Sequence, residues 1–269
     1  MIRAAIVGAT GRMGQALLRA GRETSAIRIV AAVASQNSPH IGQDAGQLAG
    51  QTPLGVAITN DLRAVLAACD VVIDFSRPEA TAANLGACRT ATKPLLIGTT
   101  GLPRELDSDF IEAARNIPVL VAANTSIGAS LLTELVRACA RALPPEFDIE
   151  IVEAHHRQKK DAPSGTALAL GRAAAEARGR ELSDVAVTNR AAGALRAEGD
   201  IGFSVIRGGD IIGEHTVLFT GAGEQLTLSH RATDRAIFAR GALRAAAWLA
   251  VQPVGLYDMQ HVVGYKTDT

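Results

Sequence analysis

The stretch from Arg3 to Gly14 restricts the fold of this chain more than any other. Arg3 to Val7 is a short apolar run suited to a buried strand. Gly8-Ala9-Thr10-Gly11-Arg12-Met13-Gly14 follows, and a helical pattern runs from Gln15 to Arg22. Strand, glycine-rich turn and helix, in that order, form the context of a dinucleotide-binding turn. The spacing is G-x-x-G-x-x-G rather than G-x-G-x-x-G, but the demands are the same: a tight turn, close approach of backbone to a pyrophosphate, and close packing of helix on strand. The glycines alone would also suit a plain turn that caps a helix. Their place at the end of the first strand favours a nucleotide cofactor.

The alternation continues. Ile27 to Ala34 reads as a second strand, and residues 35–60, with Pro39, Gly42, Gly46, Gly50, Pro53 and Gly55, read as loop. Leu62 to Ala68 is a short helix, Val71 to Ser76 a buried strand with a polar end, Glu79 to Arg89 a helix and Pro94 to Ile97 a strand. Gly98-Thr99-Thr100-Gly101 closes that strand with small residues that let a flat ring approach the backbone. Glu105 to Arg115 is a helix with a basic last turn, Pro118 to Ala122 a strand, and Ala123 to Ser126 its polar end. Small or polar turns at successive strand ends line the ligand crevice of an open parallel sheet.

After a helix at Gly128 to Leu143, stopped by Pro144-Pro145, the pattern changes. A strand over 148–154 and a helix over Ala167 to Arg178 lead into a polar stretch over 179–200. Phe203 to Arg207, Glu214 to Thr220 and Gln225 to Ala232 then alternate apolar and polar residues around glycine turns, and read as antiparallel strands. Asp234 to Leu249 is again helical. The expected organisation is a first α/β domain over 1–126, completed by C-terminal residues from about 235–269, and a second α+β domain over 127–234.

Chemistry concentrates in Glu153-Ala154-His155-His156-Arg157-Gln158-Lys159-Lys160-Asp161-Ala162-Pro163-Ser164-Gly165-Thr166, a strand-to-helix crossover. Ser164 stands where an N-cap belongs, and Gly165 and Thr166 form the first helical turn, whose free N–H groups and dipole favour an anion. Histidine transfers protons near neutral pH. A cationic loop, a proton donor and an anion-binding helix start point to a small acidic substrate that gains or loses a proton; the plain alternative is a solvated basic loop with one buried histidine. His215 and His230 fall in strands and read as structural, and His40 and His261 carry no signal.

Composition removes other classes. The net charge is +0, with 27 basic and 27 acidic residues, so neither nucleic acid nor an anionic membrane is the expected partner. Three widely separated cysteines, Cys69, Cys88 and Cys139, form neither a disulfide framework nor a zinc pattern, and no metal is expected. Cys69 and Cys139 read as packing residues in helical patterns. No signal peptide precedes the first strand and no apolar run reaches membrane-spanning length, so a cytoplasmic protein is expected.

Six segments together resemble a known family: Gly8 to Gly14 (GATGRMG), Asp74 to Pro78 (DFSRP), Ile97 to Gly101 (IGTTG), Ala122 to Ser126 (AANTS), Glu153 to Ala167 (EAHHRQKKDAPSGTA) and Arg207 to His215 (RGGDIIGEH). They are similar to the 4-hydroxy-tetrahydrodipicolinate (dihydrodipicolinate) reductases of lysine and diaminopimelate biosynthesis, over nearly the whole chain. The resemblance implies a Rossmann domain for NAD(P)H, a mixed-sheet substrate domain and a homotetramer built through that second domain's sheets.

Carried over by position, Gly8, Ala9, Thr10, Gly11, Arg12 and Met13 would cradle the cofactor pyrophosphate. Gly98, Thr99, Thr100, Ala122, Ala123, Asn124 and Thr125 would flank the nicotinamide. His155 would be the proton donor and Lys159 a second acid and carboxylate partner, with His156, Ser164, Gly165 and Thr166 at the substrate. Ala34 and Ser35 depart from the family pattern, in which many members carry an acidic residue followed by Arg. Without a carboxylate there to hold a ribose diol and repel a phosphate, NADPH is expected to be preferred, with NADH also used. Because the two sets of residues belong to different domains, the chain crossings near Thr125 to Gly128 and Ala232 to Asp234 are the expected hinges. Two other readings stand beside this one: another imine or keto-acid reductase or amino-acid dehydrogenase of the same architecture, and a nucleotide-sensing Rossmann protein without chemistry.

Overall fold

The computed structural model describes residues 1–264 and divides into two compact units, Met1–Ser126 with Ala236–Gly264, and Ile127–Arg235.

The first unit opens with β1 (Ile2–Val7), α1 (Arg12–Ala20) and β2 (Ile27–Val33). The helix begins three residues before the apolar pattern, because Gly11 supplies its extended N-cap and Arg12, exposed, and Met13, half-buried, already form its first turn. Residues 35–60 are less irregular than their glycines and prolines imply: they contain α2 (Ala45–Leu48) and β3 (Ile58–Thr59). One side chain organises this segment. The Asp44 carboxylate accepts hydrogen bonds from the N–H groups of Gly46 (2.8 Å), Gln47 (3.1 Å), Leu54 (2.9 Å), Gly55 (2.8 Å) and Val56 (3.2 Å). Those bonds hold its carboxyl below the ordinary value.

The unit continues with α3 (Leu62–Val65), which tightens into a 3-10 turn over Leu66–Ala68, then β4 (Val71–Asp74), α4 (Pro78–Thr90), β5 (Leu95–Ile97), α5 (Leu106–Ala113) and β6 (Pro118–Val121). Cys69 caps the 3-10 turn in extended conformation instead of lying within a helix. The last turn of α5 has no basic residue, since Arg115 falls beyond it.

The second unit comprises α6 (Ile127–Ala142), β7 (Asp148–His155), α7 (Gly165–Ala177), α8 (Leu182–Val185), β8 (Ala186–Val187), β9 (Ile201–Arg207), β10 (Gly213–Gly221) and β11 (Glu224–Ala232). Its sheet runs β11-β10-β7-β9-β8. The antiparallel reading holds for β11, β10 and β7 but not for β9, which pairs parallel with β7 and with β8. The turn at Gly208 to Asp210 therefore does not close a hairpin: β7 lies between β9 and β10. The sheet is mixed. Helices α6 and α7 cover one face, burying Leu132, Val136, Ile149, Ile151, Leu170, Phe203, Val217 and Phe219. Each such side chain contributes ~1.5–3 kcal/mol on leaving water. Contact is close enough that a Cβ on Gly171 of α7 would lie 2.6 Å from the Phe203 ring.

The chain then returns to the first unit as α9 (Ala236–Leu249), β12 (Gly255–Tyr257) and α10 (Met259–Val263). Helix α9 lies against α1, β4 and β5. The return also adds a strand that hydrophobic patterning missed: β12 joins β6 in parallel at the sheet edge. His261, silent in sequence, closes a capping box with Asp258 at the start of α10. Residues 265–269, part of the expected C-terminal completion, lie outside the described residues. The full sheet is parallel throughout, in the order β12-β6-β5-β4-β1-β2-β3. Strand order reverses between β1 and β4, and ligands of such sheets bind beyond the carboxyl ends of the strands at that point. No helix among the described residues is long and apolar enough to cross a membrane.

Candidate active site

At the switch point, β1 ends in Gly8, whose φ of 80° lies in the left-handed region and whose missing side chain leaves room for the backbone of Phe75. Gly8 and Ala9 both donate to the carbonyl of Val33, at 2.9 and 3.0 Å. A side chain on Gly14 would collide with the backbone of Gly8 and Ala9, so α1 starts directly against the strand end. No side chain caps α1. Gly11 N–H donates to the Gly8 carbonyl at 3.0 Å, which leaves the first-turn N–H groups from Arg12 onward as the open, anion-favouring end of the helix. Thr10 is half-buried beside them, and its carbonyl accepts from Gln15.

The neighbouring strand ends are tied together. Gly98 donates to the Asp74 carbonyl at 2.8 Å and Ala122 to the Ile97 carbonyl at 2.9 Å. The Asp74 carboxylate, wholly buried, accepts from Ser76 N–H (2.8 Å) and Asn84 Nδ2 (3.0 Å). Thr99 is also buried and turns its hydroxyl to Asp74, whereas Thr100 is exposed. Gly98 lies flat against the Phe75 ring, with no space for a Cβ. Ala122 is buried, Ala123 exposed, and Asn124 accepts from Ser126 N–H at 2.9 Å. Thr125 is 2% exposed and donates to the Phe238 carbonyl on α9 at 2.6 Å. At the end of β2, Ala34 is buried and its N–H bonds the Thr59 carbonyl, while Ser35, Gln36 and Asn37 are exposed. An open helix start, close-packed glycines and strand ends built of small or inward-bonded residues fit a dinucleotide.

In the second unit the site is assembled by strand register. Residues two apart on a strand share a face, so Glu153 and His155 of β7 point together. His215 on β10 pairs with Glu153, and Arg207 on β9 pairs with His155. All four converge. His155 Nδ1 lies 2.5 Å from Glu153 Oε2. Arg207 grips the same carboxylate with both Nη atoms at 2.8 Å, and Ser164 N–H reaches Oε1 at 3.0 Å. Ser164 caps α7 through Ala167 N–H at 3.2 Å and shares a 3.0 Å hydrogen bond with His215 Nε2. The two histidine rings meet edge to face at 5.1 Å.

Electrostatics follow burial. Desolvation alone would raise Glu153, but the bonds from Arg207, His155 and Ser164 N–H outweigh it and hold the carboxyl below its ordinary value. Burial lowers His155, against the opposing pull of Glu153. Burial, with His155 beside it, pushes His215 down to about 4. Lys159 pairs with Asp161 at 2.9 Å on the crossover loop, and Arg207 also donates to the Asp161 carbonyl at 2.6 Å. His156 and Thr166 are half-buried, and Gly165 is exposed at the helix start.

The structure thus brings His155 and Ser164 together and keeps Lys159 on the adjoining loop. Glu153, Arg207 and His215 were not among the residues assigned a role from sequence. His215, read from sequence as structural, is buried, bonds the Ser164 hydroxyl and packs edge to face on His155. Period-two alternation from His155 points to Glu153, but the partners from β9 and β10 depend on strand order, which pattern alone does not reveal.

Two family models match the chain. The one described as dihydrodipicolinate reductase, N-terminus, covers residues 2–125, and the one described as dihydrodipicolinate reductase, C-terminus, covers residues 128–263. This chain belongs to the dihydrodipicolinate reductase family. It is 52% identical to the 4-hydroxy-tetrahydrodipicolinate reductase of Alkalilimnicola ehrlichii, over 97% of this chain and 98% of that one. To the protein of the same name from Anaeromyxobacter dehalogenans it is 48% identical, over 99% of both chains. The dipicolinate-bound dihydrodipicolinate reductase of Paenisporosarcina sp. TG-14 superimposes with a TM-score of 0.77 at 26% identity, over 96% of this chain and 97% of that one. An amine dehydrogenase from Mycobacterium smegmatis, at 15% identity and a TM-score of 0.62, shares the fold. Dihydrodipicolinate reductases are NAD(P)H-dependent oxidoreductases, and the segments that carried the resemblance in sequence lie at the strand ends and the crossover described above.

Proposed function

We propose that this chain reduces 4-hydroxy-tetrahydrodipicolinate to tetrahydrodipicolinate, with loss of water, in lysine and diaminopimelate biosynthesis. The observation that carries the reading is the buried Glu153–His155 pair, which adjoins both the Lys159 loop and the capped start of α7. A bound reduced nicotinamide supplies the hydride. The residues of the chain do the rest. Gly8 to Met13 hold the pyrophosphate: the glycines let it approach the backbone, and the open start of α1 at Arg12 and Met13 receives it. Gly98, Thr99, Thr100 and Ala122 to Thr125 offer a flat, small-residue wall for the ring.

The substrate carries two carboxylates, and two features of the chain are suited to them: the cation of Lys159, and the N–H groups of Gly165 and Thr166 with the α7 dipole. His156 adds a donor at the loop. Hydride addition builds negative charge on the substrate, and His155 quenches it by giving up a proton, with Lys159 as the second acid. Ser164 acts from behind: its side chain is already committed to the cap and to His215.

At the adenosine end, Ser35, Gln36, Asn37 and Arg12 favour a 2′-phosphate, and no carboxylate repels it, so NADPH is the preferred cofactor and NADH the second. The uncovered face of the mixed sheet, with Ser204 and Ile206 exposed beside Val152, is the surface through which a homotetramer forms. The site of action is the cytoplasm. The test is a coupled assay: substrate is generated in place by the preceding synthase, and oxidation of reduced cofactor is followed by absorbance. Turnover only when the synthase is active supports the assignment. Intact cofactor binding without turnover, or equal turnover of unrelated imines and keto acids, overturns it.

A further inference from the structure

The proton-donor reading leaves Glu153 without a task, although its carboxylate is buried and receives four hydrogen bonds. Oε2 takes His155 Nδ1 at 2.5 Å and Arg207 Nη1 at 2.8 Å; Oε1 takes Ser164 N–H at 3.0 Å and Arg207 Nη2 at 2.8 Å. Three of these four partners can only donate, because a backbone N–H and a guanidinium have no acceptor. His155 alone could play either part. An ionised carboxylate only accepts.

We infer that Glu153 is a positioning residue that locks His155 with a proton on Nδ1, so that Nε2 is the nitrogen that passes a proton to the substrate. The inference rests on His155 being the proton donor. Nε2 has no hydrogen bond among the described residues. It lies against Gly213 of β10, where a Cβ would come within 3.0 Å, so any larger residue there would crowd the reactive edge. Four groups face the ring: Glu153 from its own strand, Arg207 from β9, His215 from β10 and Lys159 from the crossover loop. Glu153 favours the imidazolium, and Arg207 and Lys159 oppose it.

When the imidazolium gives up its Nε2 proton, the N–H bond there breaks and a bond from that proton to the substrate forms. The neutral imidazole left behind already has its remaining proton on Nδ1, where Glu153 requires it, so no exchange between ring nitrogens accompanies the step. The same carboxylate holds Ser164 N–H, and Ser164 caps α7. One side chain therefore sets both the proton donor and the helix start that receives a carboxylate.

The replacement Glu153→Gln tests this sharply. An amide must turn its NH2 toward either Ser164 N–H or His155. Arg207 donates to both oxygens and loses one bond in either orientation, so the choice falls to the other two partners: Ser164 N–H cannot reverse, the NH2 faces His155, Nδ1 becomes an acceptor and the ring proton moves to Nε2. The readout is nitrogen NMR of the full chain labelled with 15N-histidine, above the pH at which the ring titrates, with His155 assigned by its loss in His155→Gln. The wild-type protein should show a protonated Nδ1 and a bare Nε2; Glu153→Gln should show the reverse. In steady-state assays Glu153→Gln should lose ~10²–10⁴-fold in kcat, the scale seen when a buried carboxylate behind a catalytic histidine becomes an amide. The limb on which activity falls as pH rises should move to lower pH, because the imidazolium loses the carboxylate that favours it, with KM for reduced cofactor unchanged. A wild-type His155 protonated on Nε2 when neutral would overturn the inference, as would a Glu153→Gln variant with unaltered tautomer and pH profile. The wild-type spectrum decides even if the variant does not fold. Full activity in His155→Gln would instead sink the proton-donor reading, which keeps the two failures apart.

Discussion

The hydroxyl of Thr125 donates to the carbonyl of Phe238 at 2.6 Å, joining the turn after β6 to the first turn of α9 across 113 residues of sequence. Thr125 is 2% exposed. Thr125→Val keeps the shape and removes the donor, so it should lower unfolding free energy by ~1–3 kcal/mol, the cost of losing one partner of a buried hydrogen bond. Chemical denaturation measures this. A midpoint and slope unchanged from wild type would mean that the bond contributes nothing to the folded state.

His155→Ala and Lys159→Ala should each lower kcat by ~10²–10⁴-fold, the range of a general acid. Cofactor KM should hardly move, since both residues lie in the second unit. A variant with near-normal kcat, or one whose loss lies wholly in cofactor binding, would remove that residue from the acid's role.

His215 gives a stability signature in pH. Its folded value is pushed down to about 4, against 6.5 when unfolded. The unfolded chain then takes up the proton more readily, so stability is intact above about pH 6.5 and is lost as pH falls toward 4. Fully expressed, a depression of that size corresponds to roughly 3 kcal/mol. Urea unfolding from pH 7 to pH 4 should show the slope, and His215→Gln should flatten it. Parallel curves for the two proteins would contradict the assignment.

Cofactor preference is read from kcat/KM for NADPH and NADH at one fixed substrate level, with NADPH expected to be higher. Ala34→Asp should move the ratio toward NADH, because a carboxylate accepts from a ribose diol and repels a 2′-phosphate. Ala34 itself is buried, so Ser35→Asp serves as a second variant one residue further out. A clear NADH preference in the wild type would refute the expectation.

Local chemistry made the first unit and the crossover readable. Gly8, Gly11 and Gly14 are spaced by the demands of a turn, and Ser164 stands where the end of one pattern and the start of another call for a cap. What could not be read depends on partners distant in sequence. The parallel placement of β9 beside β7 arises because α7 carries the chain back along one face of the sheet between the two strands, and the strand composition is the same either way. Strand β12 has three residues, too few to show a period. Asp44 looks like any loop aspartate until the N–H groups of Leu54, Gly55 and Val56 close on it. His215 becomes a neighbour of His155 only through the β7–β10 register.

The edge strand β12 has a consequence for synthesis. While the chain is being translated, β6 emerges with one row of backbone N–H and C=O groups bare, and its partner is not made until after the entire second unit has been synthesised. Until then the nascent sheet carries an unpaired edge and lacks α9, under which Thr125 and part of the sheet are covered, the condition in which strands add to the wrong chain. The second unit, continuous in sequence, meets no such delay. A chain cut short within the last turn of α9 would therefore have its second unit complete and the edge of its first unit still open to aggregation.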